Sequence, residues 1–316
     1  MLRQLHGSPP REAVIAAAPS CQLEVQGYAV PRSRHSLVIP IGLLLVATAP
    51  IALAGGDPVV VTIVDGRKAK AQINLPKPGG GVYSADFELE FHNPINLTVE
   101  CVGISADVLD AIEIADIESR LPDPGQQIID PAFPVRVTVE PPAACGLEFE
   151  DEVHIEFDTP ELVYTAFSPY RLVKAPVGGA FGDLTERVEA GSVRSRGSGG
   201  AFSEFVMIKD LNQDYASEAT QTFATLEARL VDQAIAPTAK ATLQSDAGIG
   251  RAAFQAGDYA QAIARLTDLT DHCGTLGGAA LPNRWRSTRD LGNAQGEIVG
   301  ISNHLKFLLG RLNGNP

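Results

Sequence analysis

Hydrophobic and polar positions change their spacing twice along this chain. Residues 37–54 form an almost unbroken apolar run with no alternation. From Asp57 to about residue 208 the pattern has period two, and beyond about residue 213 it has the period of a helix. A leader, a set of strands and a set of helices are therefore predicted, in that order.

The strand region is the richest. Val59–Val64 is β-branched throughout, its one polar residue being Thr62, and Asp65 and Gly66 follow as a turn. Residues 68–75 then alternate, so the pair reads as a hairpin. Residues 76–81, rich in Pro and Gly, form a loop. Tyr83, Ala85, Phe87, Leu89 and Phe91 lie on one face of the next strand, and Ser84, Asp86, Glu88 and Glu90 on the other. His92, Asn93 and Pro94 end it. Residues 97–104 read as a further strand carrying Cys101, whereas 105–121 fit a helix turn and a twisted strand equally. A turn at 122–125 precedes a short strand marked by Val135, Val137 and Val139, which Pro141 and Pro142 stop. Residues 147–158 alternate throughout apart from Asp151. Residues 162–175 and 181–193 extend the pattern, 195–200 read as a flexible Ser/Gly loop, and 202–208 as the last strand. Short alternating strands separated by turns predict an antiparallel β-sandwich of immunoglobulin-like arrangement.

Helices are predicted over 216–245, split or kinked at Pro237, then 247–255, 258–273 and 284–312. In the last, Ala294, Ile298, Ile301, Leu305, Leu308 and Leu312 recur at spacings of four and three and share one seam. A small C-terminal helical bundle follows. The predicted organisation is a leader over 1–54, an acidic β-sandwich over 55–212 and a helical domain over 213–316.

The apolar run reads as a signal peptide. Arg32 and Arg34 precede it, and Ala52 and Ala54 supply the small residues of a cleavage site that leaves Gly55 as the mature N-terminus. A membrane anchor is the alternative, because eighteen apolar residues approach the roughly 20 that span a bilayer. Pro40 and Pro50 count against it. Residues 1–35 are long for a leader and suggest a start codon placed too early.

Charge narrows the partners. The formal net charge is −13, and it is unevenly spread. Residues 55–170 hold 21 acidic against 6 basic side chains, while 171–316 hold 15 of each. An acidic first half repels phosphate backbones, so nucleic acid is excluded as a partner, and a membrane is met only through an uncleaved leader. Cys101 and Cys145 are the natural disulfide pair in an oxidising compartment, closing a loop worth about 4 kcal/mol in the chain-entropy picture. Cys273 is left over. With no C-x-x-C, zinc and dithiol redox chemistry lack a motif.

The remaining candidates for chemistry each meet a plainer reading. Asp86, Glu88 and Glu90, with Glu148, Glu150, Glu152, Glu156 and Asp158, could gather calcium across two strands. Same-face carboxylates on a strand stand roughly 7 Å apart, however, so a solvated face is the default. His92, His154, His272 and His304 lack metal-site spacing and read as surface or capping residues. Gly197, Ser198 and Gly199 open no helix and so make no nucleophile elbow. The glycines at 178–182 form a turn, with no phosphate-binding lysine after them. Asn96, Leu97 and Thr98 match a glycosylation acceptor by coincidence in a chain of bacterial character. Arg171, Arg194 and Arg196 either bind an anionic partner or pair with the excess carboxylates, which is the commoner outcome.

Residues 252–266, with Gly257, Asp258 and Tyr259 between two helical stretches, resemble the middle of a tetratricopeptide unit. The resemblance implies a helix-turn-helix, and the absence of a second copy excludes a solenoid. Residues 171–176, 200–205 and 282–286 carry a broader resemblance to uncharacterised families of exported bacterial proteins, which implies an exported location and no particular activity.

No catalytic constellation, cofactor motif or metal set emerges. The sequence thus predicts an exported, non-enzymatic binding or structural module of the periplasm or cell surface, whose partner is a protein or glycan of the envelope. A hydrolase using two carboxylates on an envelope polymer is the alternative, and a calcium-dependent adhesion module the second.

Overall fold

The computed structural model describes residues 57–189 and 191–315. The leader and its cleavage residues Ala52, Ala54 and Gly55 lie outside the described residues. The described residues fall in one compact unit.

Strands β1 (Val59–Val64) and β2 (Lys68–Pro76) make the expected hairpin. Asp65 and Gly66 both take positive φ, the turn whose twist matches paired strands. β3 (Val82–Ile95) continues the meander, burying Phe87 and Leu89 completely. The chain then departs from its predicted strand. Thr98 caps a single helical turn, α1 (Val99–Val102), and Gly103 ends it with positive φ, so Cys101 sits on a helix rather than on a strand. A side chain at 103 would meet the Glu140 carbonyl, which makes glycine obligatory there.

The ambiguous stretch divides in two. β4 (Ile104–Val108) is a strand, and Asp110 then starts α2 (Ala111–Ser119) through a capping box with Glu113. β5 (Gln127–Ile129) and β6 (Val135–Val139) follow. Cys145, in a short helical turn, is joined to Cys101 by a disulfide with its Cα atoms 5.5 Å apart.

β7 (Glu148–Val163) is the longest strand and carries a bulge at Asp151, which has positive φ. β8 (Tyr170–Ala175), β9 (Gly182–Asp183), β10 (Thr185–Glu189), β11 (Ser192–Gly199) and β12 (Glu204–Asp210) complete the β region. One antiparallel sheet has the order β1-β2-β3-β7-β11-β10 and the other β4-β6-β12-β8-β9, with β5 also on β12. Between them lies an aromatic core in which Phe87 meets Phe157 and Phe205 at 5.5 and 5.3 Å. α2 covers the far face of the second sheet through Ile117.

β11 corrects the flexible loop expected at 195–200. Its register with β7 sets Arg194 opposite Asp158 and Arg196 opposite Glu156, so charge pairing replaces apolar alternation on the outer face. Inward, Ser195 is buried and a side chain at Gly197 would collide with Leu184, while Ser198, on the face of the arginines, is buried beside Glu186 and Asn303.

Helices α3 (Tyr215–Leu230), α4 (Pro237–Gln255) and α5 (Tyr259–Leu276) form the helical part. Pro237 begins α4 rather than kinking a longer helix, because a proline at the first helical position forfeits no hydrogen bond. α4 also runs through the break expected near residue 246. The last predicted helix starts ten residues late. Residues 284–286 are instead β13 (Arg284–Arg286), paired with β7, and Asn293 caps α6 (Ala294–Leu312). α6 is enclosed on two sides. Ile298, Leu305 and Leu308 pack with α3 and α5, while Gly296 and Gly300 press against Ser198, Gly199 and Gly200 of the sheet. The helical part is therefore built onto the sandwich, and it returns a strand to it.

Candidate binding cleft

A cleft of about 740 Å³ opens where the ends of β8 and β11 meet α3, α6 and the segment after β13. Three close approaches shape it. A Cβ at Gly200 would lie 2.4 Å from the Asn293 carbonyl oxygen and 2.8 Å from the Glu297 nitrogen, so only glycine lets the chain pass beneath the start of α6. A Cβ at Gly300 would lie 2.4 Å from the Ser198 oxygen. The third anchor is Asp151 at the β7 bulge. Its carboxylate accepts from Asn283 and Gln295, both at 2.9 Å, and lies 2.7 Å from His92 Nδ1. Asn293, the cap of α6, donates to its backbone oxygen.

The walls are largely apolar. Trp285 stacks on Phe149 at 5.5 Å and meets Phe202 edge-on at 4.9 Å, so the buried aromatic core reaches the cleft through Trp285 and Phe202. Lys174 lies at the floor. It occupies an inward position of β8, opposite Phe205, and its ammonium donates to the Ala201 carbonyl at 3.0 Å. Removal from water lowers its pKa, and the Glu297 carboxylate opposes that shift. Gly199 leaves room for the head group, since a Cβ there would stand 3.2 Å from Nζ. Arg229 is ion-paired to Glu297 and Asp232.

A smaller pocket of about 290 Å³ adjoins the cleft through Gly182, Asp183, Thr225 and Ile301. Beside it Arg171 is completely buried, so the carboxylate pairing expected for it is met inside the protein, by Asp183, rather than on the surface. It donates to the Ser168 and Tyr170 carbonyls at 2.9 Å, and its guanidinium lies 5.4 and 5.1 Å from the rings of Tyr215 and Phe307. Asp183 is 3.7 Å from its Nε. Burial pushes the Glu218 carboxyl up to about 9, and the neighbouring Asp210 and Asp183 add to the effect against Arg171. Glu218 is therefore protonated at neutral pH. His304, expected at the surface, is buried, and its Nδ1–H donates to the Thr185 carbonyl at 2.8 Å. This cluster ties β8, β9 and β12 to α3 and α6.

The other candidates are spread over outer faces. Lys68 and Lys70 on β2 pair with Glu88, Glu90 and Asp86 on β3, and Arg194 and Arg196 pair with Asp158, Glu156 and Glu189. β3 and β7 set Glu88 opposite Glu156 and Asp86 opposite Asp158, and the basic strands on either side offset that repulsion. Glu148 is not on the wet face: it is buried under Arg284 and Arg286 of β13. No three His, Cys, Asp or Glu side chains among the described residues are disposed to hold a metal ion. Asn96 donates to the Cys145 and Gly146 carbonyls at 3.1 Å, which ties it to the disulfide turn. Sequence reasoning missed Lys174, Trp285 and Glu297 as neighbours because they lie on three elements far apart in the chain. The surviving signal was the Gly199, Gly200 pair, which marks a close backbone approach.

A family model described as a family of unknown function, DUF6689, matches residues 42–313, nearly all of the chain. The chain belongs to that family. Comparison with curated protein sequences finds no match. Among solved structures, the chain is similar to the CBM51-2 and INT domains of Clostridium perfringens ZmpB, at 11% identity and TM-score 0.16, over 69% of this chain and 55% of that one. The same domains with GlcNAc bound to CBM51-2 align at 11% identity and TM-score 0.17, over 71% and 56%. The chain thus spans just over half the length of those chains. At such TM-scores the likeness carries no argument, so function is argued from the residues of this family member alone. No helix among the described residues is long and apolar enough to cross a membrane.

Proposed function

We propose that this protein is an exported, non-enzymatic binding module that takes its ligand, a protein or glycan component of the bacterial envelope, in the cleft beside Trp285. The observation that carries the reading is the cleft itself: an apolar-walled hollow of about 740 Å³ ending on stacked aromatic rings, with a few convergent polar groups. Its carboxylates are engaged within the protein, Glu297 with Arg229 and Asp183 beside Arg171, and such pairing disfavours the general acid and base roles of a hydrolase. The Cys101–Cys145 disulfide and the leader support export.

Trp285 is the one tryptophan of the chain, so its emission reports on the cleft. Titration with soluble fragments of envelope glycan and with short envelope peptides is expected to give a saturable change. Ala228→Phe, at an exposed position of α3 facing the cleft, abolishes it, and mass spectrometry finds the ligand unaltered after prolonged incubation. Conversion of the ligand would instead make the protein an enzyme. Binding that ignores Ala228→Phe would move the site elsewhere.

A further inference from the structure

Of the charged side chains lining the cleft, Lys174 is the one with no opposite charge within 4 Å among the described residues. The carboxylates of the cleft have partners: Glu297 holds Arg229, and Asp183 accepts from the Thr185 N–H at 2.8 Å and faces Arg171. Lys174 has a different position. Among the described residues its one hydrogen bond goes to the neutral Ala201 carbonyl, whereas an ammonium has three donors. Arg289 stands at the rim, two-thirds exposed, with its nearest acidic partner 3.9 Å away. The ammonium without an ion pair is thus that of Lys174, in a cleft that Phe202, Trp285 and Ile301 also line.

Resting on the reading of this cleft as the binding site, we infer that the envelope component it takes presents one carboxylate beside an apolar group, and that Lys174 anchors that carboxylate. A buried ammonium is costly, and an incoming carboxylate repays the cost with a charge-assisted hydrogen bond. The chemistry favours a carboxylate over a phosphate. The guanidiniums of the cleft, Arg229 and Arg289, already face Glu297, Asp232 and Glu140, which leaves the Lys174 ammonium as a compact point charge for one negative charge, while phosphates are commonly met by forked guanidinium donors. The apolar walls then cover the rest of the ligand. Gly199 belongs to the same design, because a side chain there would crowd the ammonium.

Decanoate, decanol and decyl phosphate separate the possibilities when each is titrated below its micellar concentration against Trp285 emission. The expected result is saturable binding of decanoate to the full chain, abolished by Ala228→Phe. Lys174→Met weakens decanoate by about tenfold or more and leaves decanol unchanged. Unaltered decanol binding shows that the variant is folded, and Lys174→Gln, which keeps a donor for Ala201, repeats the test if the methionine variant is unstable. Equal affinity of decanoate in wild type and Lys174→Met overturns the anchor but leaves the cleft as a binding site. Tighter binding of decyl phosphate overturns the choice of carboxylate. No response to any probe overturns the inference, and the envelope-fragment titration then decides the cleft independently.

Discussion

Gly300→Ala is the sharpest perturbation of the joint between helix and sheet. The new methyl group would lie 2.4 Å from the Ser198 oxygen, 3.0 Å from its carbonyl carbon and 3.3 Å from Gly199 Cα. Ordinary contact begins at 3.4 Å, so α6 must retreat by about 1 Å or β11 must bend. All three obstacles are backbone atoms, which cannot rotate away. Overpacking of this kind costs about 1–3 kcal/mol, and backbone obstacles place it at the upper end. The alanine returns about 1 kcal/mol of helix propensity. A net loss of about 2 kcal/mol lowers the melting temperature by about 4–8 °C in a chain of this size. Gly248→Ala in α4 is the matched control, since nothing lies within 4 Å of its Cβ position. It should gain about 0.5–1 kcal/mol and melt higher. Thermal unfolding followed by far-ultraviolet circular dichroism, with all three proteins under one condition, reads both shifts. If Gly300→Ala melts as high as Gly248→Ala, α6 does not lie against β11 at that distance.

Other outcomes follow from individual groups. The Glu218 pKa rises from 4.5 unfolded to about 9 folded, so its contribution is complete below pH 4.5 and is lost as pH climbs through 9. Glu218→Gln should therefore flatten the fall in melting temperature between pH 5 and 9 and melt above wild type at pH 8; an unchanged slope would contradict the assignment. Burial pushes the Cys273 thiol up to about 12, and iodoacetamide should label it in the native protein only as fast as the protein unfolds. Immediate stoichiometric labelling would show an accessible thiolate. Replacing Cys101 and Cys145 together by Ser should cost up to about 4 kcal/mol in denaturant unfolding, and no loss would mean that the bridge does not form.

The legible parts of this fold were those in which one strand declares its own two faces. β3 and β7 could be read directly, because Phe87, Leu89, Ile155 and Phe157 alternate with charged residues regardless of their neighbours. β11 could not. Its Ser, Arg and Gly residues look like a loop until β7 supplies carboxylates on one side and α6 supplies Gly296 and Gly300 on the other. The helical pattern across 284–293 was misread for a similar reason. Trp285 belongs to a strand because β7 offers it an edge and Phe149 offers it a ring, and neither partner is local in sequence. Arg171 looked like a surface cation, since no short window shows the Tyr215 and Phe307 rings that enclose it. The cleft was invisible on the same grounds. Its floor, rim and wall come from β8, β13 and α6, and only the close passage at Gly199 and Gly200 left a trace.

The account stands or falls on ligand occupancy of the cleft beside Trp285. The most direct measurement is the Trp285 emission titration with envelope glycan fragments and peptides, run in parallel on wild type and Ala228→Phe. The account predicts a saturable shift in wild type that vanishes in the filled-cleft variant while the melting temperature of that variant is retained. A saturable shift of equal affinity in both proteins would contradict it.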